Sequence, residues 1–254
     1  NHMVLQRNKE IHIWGRDLPG HHVMVSFRGE EAVVQTDEKG NFSLFLQKQE
    51  AGGPFSMLFR DDLGNEEVVG DVYIGEVWFC SGQSNMEFTT GTSPVQMKEF
   101  LEMNRDPSTL RMLTVVKSAS SAPQDSFEGE WLYSDAQNVP AFSAVALWFG
   151  YKLRERLGVP VGIIASSWGG TIIEAWTSRS TLMRNPDVAS AILDYEQRIT
   201  GDPVWKAADI GKIIPSRFGL DVKPDPGNRG EGLGWAKPEF DDSAWDDFTV
   251  HGCW

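Results

Sequence analysis

The stretch that decides the fold is Asp71-Val72-Tyr73-Ile74-Gly75-Glu76-Val77-Trp78-Phe79-Cys80-Ser81-Gly82-Gln83-Ser84-Asn85-Met86. Its first part is an apolar run rich in β-branched and aromatic residues, which predicts a strand. The run stops at Ser81-Gly82, and a serine follows between two amide side chains. An open α/β sheet presents reactive groups at the carboxyl ends of its strands in this way. We therefore predict that Ser84 is a nucleophile, although a strand followed by an ordinary polar turn explains the same residues.

The residues before this stretch predict short strands. Apolar and polar side chains alternate from Val23 to Phe27 and from Phe42 to Leu46, and turn signals such as Leu18-Pro19-Gly20 and Ala51-Gly52-Gly53-Pro54 separate the runs. No helical stretch interrupts them. This spacing predicts a small Ig-like β-sandwich over residues 1–70, which acts as an accessory module because it contains no catalytic constellation.

From Asp71 onward, strands alternate with helices. One helix is predicted after Ser93-Pro94, where Ser93 caps the first turn, and another after Asn185-Pro186. A longer helix is predicted from near Pro140 to Gly158, with one apolar face made of Phe142, Val145, Phe149, Leu153 and Leu157. A buried strand, Val161–Ala165, follows it. The order predicts a three-layer α/β domain with a parallel sheet over residues 71–200.

The last part of the chain differs in character. Proline and glycine are frequent between residues 202 and 234, and strand-like sequence returns from Phe240 to Val250. We therefore expect residues 201–254 to be a linker and the beginning of an inserted β domain that is incomplete in this chain.

A second turn whose residues could take part in catalysis follows the strand that ends at Ala165. Gly169 and Gly170 are expected at the same sheet edge as Ser84, where backbone N–H groups without side chains approach a ligand closely. Such donors would stabilise the oxyanion that forms when a serine attacks an ester. A tight strand-to-helix turn is the simpler explanation of a Gly-Gly pair. Glu174 and Trp176, which follow, are weaker candidates for the wall of a pocket, as a glutamate in a first helical turn also suits the helix dipole.

A base for Ser84 is missing from the pattern. The five histidines are His2, His12, His21, His22 and His251. Four of them lie in the predicted β-sandwich and the fifth lies in the unfinished last segment. A serine hydroxyl needs a general base within hydrogen-bond reach, so the sequence does not contain a convincing complete triad.

The composition of the chain makes some classes of binding partner improbable. The net charge of −13 makes nucleic acid and anionic lipid improbable partners. The chain has no run of eighteen apolar residues, so no membrane-spanning helix is expected, and its opening residues do not read as a signal peptide. Cys80 and Cys253 provide no disulfide framework and no zinc spacing, and Cys80 is expected to be a packing residue.

Four separate stretches together resemble a known family. Gly75 to Met86 is similar to the nucleophile block of the sialate O-acetylesterases, carbohydrate esterases within the GDSL/SGNH hydrolases. Met3-Val4-Leu5-Gln6-Arg7 with Ile13-Trp14-Gly15 resembles the opening of the family's β-sandwich. Gly169 to Trp176 resembles its second signature, and Phe240 to Trp245 resembles the start of a jelly-roll module that is inserted into the hydrolase domain.

The resemblance implies an SGNH-type hydrolase in which Ser84 carries the acetyl group. The N–H groups of Ser84 and of Gly169 or Gly170 then form the oxyanion hole, and Gln83, Asn85 and Glu174 border the substrate pocket. The family's Asp-x-x-His block is not in this sequence, so the base is expected from a C-terminal remainder of the same protein, as a second segment or chain; a truncated, inactive product is the alternative.

The expected substrate is an O-acetylated carbohydrate, sialic acid first, and no metal or organic cofactor is expected. Acetyl-xylan or another glycan is an alternative substrate, and a non-catalytic carbohydrate-binding protein is an alternative function. A periplasmic or secreted location is expected from the family.

Overall fold

The computed structural model describes residues 1–118, 124, 126–201, 237, 241 and 243, with residues 198–201 described by their backbone alone. The N-terminal part contains six strands: β1 (Val4–Gln6), β2 (Ile11–Arg16), β3 (His22–Phe27), β4 (Glu30–Gln35), β5 (Asn41–Leu46) and β6 (Gly52–Asp61). After them come β7 (Glu66–Gly82), α1 (Ser84–Glu87), α2 (Pro94–Met103), β8 (Leu110–Thr114), β9 (Trp131–Tyr133), α3 (Ala144–Leu157), β10 (Val161–Ser167), α4 (Arg179–Leu182) and α5 (Pro186–Gly201). Short 3₁₀ turns lie at Thr90–Thr92, Pro107–Thr109, Val139–Ala141 and Ile173–Trp176.

Strand β7 belongs to both halves of the described fold. Its first part pairs with β6 in antiparallel fashion, and residues 73–75 also pair with β1 in parallel. From Glu76 to Gly82 it pairs in parallel with β10. The sheet therefore runs continuously in the order β4-β3-β6-β7-β10-β8-β9. Residues 71–82 thus lie in the strand that joins the two parts of the fold.

The N-terminal strands enclose their own core. β2 and β5 form a separate two-stranded antiparallel sheet, and its buried side chains pack with those of β3, β6 and β7. Val23, Val25 and Phe27 are buried, as their alternation predicts. The buried members of this cluster are Ile11, Ile13, Val23, Val25, Phe27, Leu44, Leu46, Met57, Val72 and Ile74.

The second core lies between the parallel strands and the helices. β10 lies between β7 and β8 and pairs in parallel with both, so the predicted α/β class with parallel strands flanked by helices is confirmed. The cluster's buried members are Phe100, Leu110, Met112, Val139, Phe142, Ala146, Leu147, Tyr151, Val161, Ile163 and Ala165. Cys80 packs against this cluster as a half-buried free thiol, and burial raises its pKa.

Helix α3 forms where the sequence predicts a helix, but it turns a different face to the sheet. Ser143 caps its first turn by accepting a hydrogen bond from the Ala146 N–H, and Gly158 ends it in the left-handed conformation (φ 64°). The buried side is made of Ala146, Leu147, Gly150 and Tyr151. Of the predicted stripe, Phe142 is buried just before the helix and Leu153 packs against the core, whereas Val145, Phe149 and Leu157 are exposed. The small residues face the sheet because the helix approaches it closely: a Cβ added to Gly150 would lie 2.6 Å from Cγ1 of Ile163.

Two smaller features qualify the sequence predictions. Pro94 begins α2 as predicted, but the Ser93 side chain makes no capping hydrogen bond. In α5, Val188 and Ile192 are half-buried and Tyr195 is exposed, while the predicted position Ile199 has no described side chain.

The domain division remains a prediction. The boundary after residue 70 falls inside β7, and residue contacts group Asn1–Tyr195 into one compact unit. The predicted linker and inserted β domain, residues 201–254, lie almost entirely outside the described residues. Among the described helices, none is long and apolar enough to cross a bilayer.

Candidate active site

Ser84 lies at the carboxyl end of β7, as the first residue of the short helix α1. The chain turns sharply before it, because Gly82 has a φ of 146° and Gln83 lies outside the helical region. The Gln83 side chain then folds back over the serine. Its Oε1 accepts hydrogen bonds from the Ser84 N–H at 3.0 Å and from the Ser84 Oγ at 2.7 Å. Gln83 is thus the N-cap of α1, and its side chain holds the exposed Ser84 hydroxyl.

The Gly-Gly turn after β10 lies beside Ser84. The Trp168 N–H donates to the Gly82 carbonyl at 3.0 Å and extends the pairing of β7 and β10 by one bond. A Cβ added to Gly169 would lie 3.4 Å from Ser84 Oγ and 3.6 Å from Ser84 Cα. The structure therefore brings the two sequence motifs together, since a side chain at Gly169 would touch the predicted nucleophile and the Gly169 N–H bonds to Glu87 of the same short helix. Gly170 follows with a φ of 80° and open space around the position of a Cβ.

Two of the donors predicted for an oxyanion are already occupied, because the Ser84 N–H donates to Gln83 and the Gly169 N–H donates to Glu87. The Gly169 N–H donates to Glu87 Oε2, and Lys117 Nζ binds Glu87 Oε1. The Lys117 hydrogen bond, followed by that from Gly169, lowers the pKa of the Glu87 carboxyl. Glu87 is the last residue of α1 and follows the serine by three positions, so the helical spacing of this motif contained a signal for it. Lys117 has no comparable signal, because it comes from the segment after β8.

The other predicted pocket residues make no described hydrogen bond to Ser84. Asn85 is exposed on α1 next to the serine, and half-buried Glu174 lies in the 3₁₀ turn Ile173–Trp176. In the described part of the chain, no hydrogen bond joins Glu174 to Ser84. Trp176 is tied to the glycine turn instead, because its Nε1 donates to Thr171 Oγ1 at 2.7 Å and that hydroxyl donates to the Trp168 carbonyl at 2.6 Å.

The described histidines lie in the N-terminal part of the chain, and none of them contacts Ser84 through a hydrogen bond. His12 Nε2 contacts Ser43 Oγ at 2.7 Å and His22 Nδ1 contacts Asp62 Oδ2 at 3.2 Å, both in the N-terminal strands. His21 belongs to the same part of the chain, and His251 lies outside the described residues. None of the four described histidines makes a hydrogen bond to Ser84. The missing base that the sequence indicates is thus also missing from the described residues.

His2 forms a histidine–aspartate pair, but in the first half of β7, far from Ser84. Its Nδ1 lies 2.6 Å from Asp71 Oδ2, eleven residues before Gly82 along the strand. The same carboxylate accepts a hydrogen bond from Tyr133 at 2.6 Å and a bidentate pair at 2.9 Å from the fully buried Arg111. Partial burial alone would raise the pKa of Asp71, but these hydrogen bonds outweigh it and hold that pKa far below its usual value. This cluster joins β7, β8 and β9 and is structural.

Known proteins resemble most of this chain in sequence. No family model matches the chain. The chain is 34% identical over 200 residues to the sialate O-acetylesterase of Mus musculus, and 35% identical over 202 residues to that of Homo sapiens. Both matches cover 72% of this chain.

A solved structure supports the same relationship. A carbohydrate acetylesterase from Xanthomonas citri matches 73% of this chain with 36% identity and a TM-score of 0.68. The chain spans only 37% of the mouse protein, 38% of the human protein and 42% of the bacterial one. Sequence and fold agree over the same share of the chain, and the matched part therefore belongs to the sialate O-acetylesterase family.

Proposed function

We propose that the whole protein is a serine esterase that hydrolyses O-acetyl esters of a carbohydrate, with sialic acid as the leading substrate. The observation that carries the proposal is the contact between Ser84 and the Gly169 turn at the carboxyl ends of β7 and β10. A nucleophile beside glycine N–H groups is the arrangement that acyl transfer requires. The names of the relatives supply the substrate class.

In the proposed reaction, Ser84 Oγ attacks the carbonyl carbon of the acetyl group and gives its proton to a base. The carbonyl oxygen becomes an oxyanion that backbone N–H groups stabilise. The bond to the sugar oxygen then breaks, and that oxygen takes the proton from the base. Water hydrolyses the acetyl-Ser84 ester by the same steps and releases acetate. The Gln83 amide must release the Ser84 hydroxyl for the attack.

The base is proposed to come from a segment that this chain does not contain. None of the four described histidines makes a hydrogen bond to Ser84, and the chain covers less than half of each relative reported above. A C-terminal remainder of the protein would then bring the histidine to the open side of Ser84.

The decisive experiment replaces Ser84 by Ala in the full-length protein and measures acetate release from an O-acetylated sialic acid. We expect a loss of about a thousandfold or more, as for the nucleophile of other serine hydrolases. Ser81→Ala is the matched control, since Ser81 is an exposed serine on the same strand end. Unchanged hydrolysis by the Ser84→Ala variant would refute the proposal.

Two alternatives have their own observations. The bacterial relative is named for carbohydrates in general, which favours acetyl-xylan or another glycan as a second substrate class. Comparing kcat/KM on O-acetylated sialic acid and on acetyl-xylan separates the two. The absence of a base among the described residues favours a carbohydrate-binding protein without catalysis. Glycan binding without fluorophosphonate labelling of Ser84 would support that alternative.

A periplasmic or secreted location is also proposed, because glycan esters are encountered outside the cytoplasm. Cell fractionation followed by detection of the protein tests it, and recovery in the cytoplasmic fraction would exclude it.

A further inference from the structure

The Glu87 carboxylate joins the ends of three parallel strands. Glu87 itself follows β7, Lys117 follows β8, and Gly169 follows β10. Lys117 also lies over the Trp168 ring, with its Nζ 5.7 Å from the ring centroid. The two side chains are only partly exposed, at 34% for Glu87 and 43% for Lys117. This ion pair therefore connects the helix that carries Ser84 with the turn that lies beside it.

The position of Glu87 creates an electrostatic difficulty for the proposed reaction. A Cβ on Gly169 would lie 2.8 Å from Glu87 Oε2 and 3.4 Å from Ser84 Oγ, so the carboxylate and the serine border the same glycine. An oxyanion that forms at Ser84 would be repelled by an uncompensated carboxylate at this distance. Lys117 supplies the compensating charge on the other carboxylate oxygen.

The same contact determines which N–H groups are free. The Gly169 N–H is committed to Glu87, whereas no hydrogen bond from the Gly170 N–H is found within the described residues. Gly169 is thus the anchor of the turn, and Gly170 remains as its available donor.

We propose that Glu87 and Lys117 are positioning residues for the oxyanion hole: Glu87 fixes the Gly169 turn against Ser84, and Lys117 cancels the charge of Glu87. This inference rests on the proposed function. If it is correct, activity depends on a hydrogen-bond acceptor at residue 87 and falls when a negative charge at that position is left unpaired. The two requirements can be separated by substitution.

The test measures kcat and KM of the full-length protein on an aryl acetate for four variants. Glu87→Gln keeps an acceptor for Gly169 without a charge, and its kcat is expected within about threefold of the unsubstituted protein. Glu87→Ala removes the acceptor, and Lys117→Met leaves the carboxylate unpaired. Each should lower kcat roughly tenfold to a hundredfold with little change in KM.

The double variant Glu87→Gln/Lys117→Met is the discriminating measurement. Because it removes both charges and keeps the acceptor, its kcat should recover to the level of Glu87→Gln. A merely structural ion pair would instead make the double variant as poor as Lys117→Met, and that result would overturn the inference. A higher kcat in Glu87→Ala would also overturn it, since Glu87 would then be a competitor for the donor.

Controls keep the outcome interpretable. Lys98→Met and Glu102→Gln break an exposed ion pair on α2 and should leave kcat unchanged. Circular dichroism and thermal unfolding identify any variant that does not fold, and the comparison of Lys117→Met with the double variant remains valid if Glu87→Ala is lost. If Ser84→Ala keeps its activity, the proposed function itself fails. If Ser84→Ala is inactive but the Glu87 and Lys117 variants leave kcat unchanged, only this inference fails.

Discussion

The Asp71 carboxylate makes four hydrogen bonds to three side chains, at a backbone position (φ 55°) that is unusual for a residue with a side chain. The most demanding of its partners is Arg111, whose side chain is completely buried. A buried guanidinium without a counter-charge is costly, because its desolvation is no longer offset. The carboxylate is therefore needed for stability in the first half of β7, away from Ser84.

Replacing Asp71 by Asn removes that counter-charge while keeping a side chain that tolerates a positive φ. We expect the free energy of unfolding at pH 7 to fall by about 3 kcal/mol, the lower range for breaking a buried ion pair. Urea unfolding measures the change. Asp62→Asn, which breaks an exposed contact with His22, is the control and should shift stability by less than about 1 kcal/mol.

The lowered pKa of Asp71 also determines how the stability difference between the unsubstituted protein and Asp71→Asn depends on pH. Because the folded-state pKa is lowered, the contribution of the ionised carboxylate is present above the unfolded pKa of about 3.9 and is lost as the pH falls through the folded pKa. The gap between the unsubstituted protein and Asp71→Asn should hold between pH 5 and 7 and narrow below pH 4. A gap that widened on acidification would contradict this account.

Helix α3 shows how an element is placed by its small residues. Gly150 faces Ile163 of β10 and also Leu110 of β8, where an added Cβ would meet side-chain atoms at 3.1 Å or less. An amphipathic pattern of large residues predicts the helix but not this orientation, because helix–sheet packing here follows the closest approach of the backbones. The larger side chains then cover the flanks, as Phe149 does beside Trp78 with ring centroids 5.2 Å apart.

Gly150→Ala should destabilise the protein although alanine is the better helix former. Propensity favours the substitution by roughly 1 kcal/mol, but overpacking against Ile163 costs roughly 1–3 kcal/mol. We expect a net loss of stability in thermal unfolding. Val145→Ala on the exposed side of the same helix is the control and should change stability little. Stabilisation by Gly150→Ala would show that α3 is held less closely than described.

At the scale of the whole molecule, the reactive serine and its base are proposed to come from different parts of the polypeptide. The prediction is that histidines within the described residues are dispensable for the chemistry. In the full-length protein, His12→Gln, His21→Gln and His22→Gln should each keep kcat within about twofold, because none of these side chains bonds to Ser84. A loss of a thousandfold in any one of them would identify that residue as the base and refute the proposed remainder.

The features of this molecule that depend on short stretches of sequence could be predicted. Ser84 and Gly169 follow strands whose ends lie at one sheet edge, so their meeting was predictable from strand order, and Gly158 as the end of α3 was predictable from its conformational freedom. Asp71 with Arg111, and Glu87 with Lys117, were not predictable. Each pair joins segments at least thirty residues apart, and only the register of three strands brings them together.

The length of β7 has a consequence for how this chain tolerates change. Val72 and Ile74 are buried in the N-terminal core, and Cys80 packs against the core beside α3. All three are even-numbered positions of one unbroken strand, so they lie on the same side of it. A single inserted or deleted residue between Ile74 and Cys80 would move one core's side chains into solvent whenever the other kept its register. The number of residues between the two cores is therefore a structural constraint in its own right, separate from which side chains fill the segment.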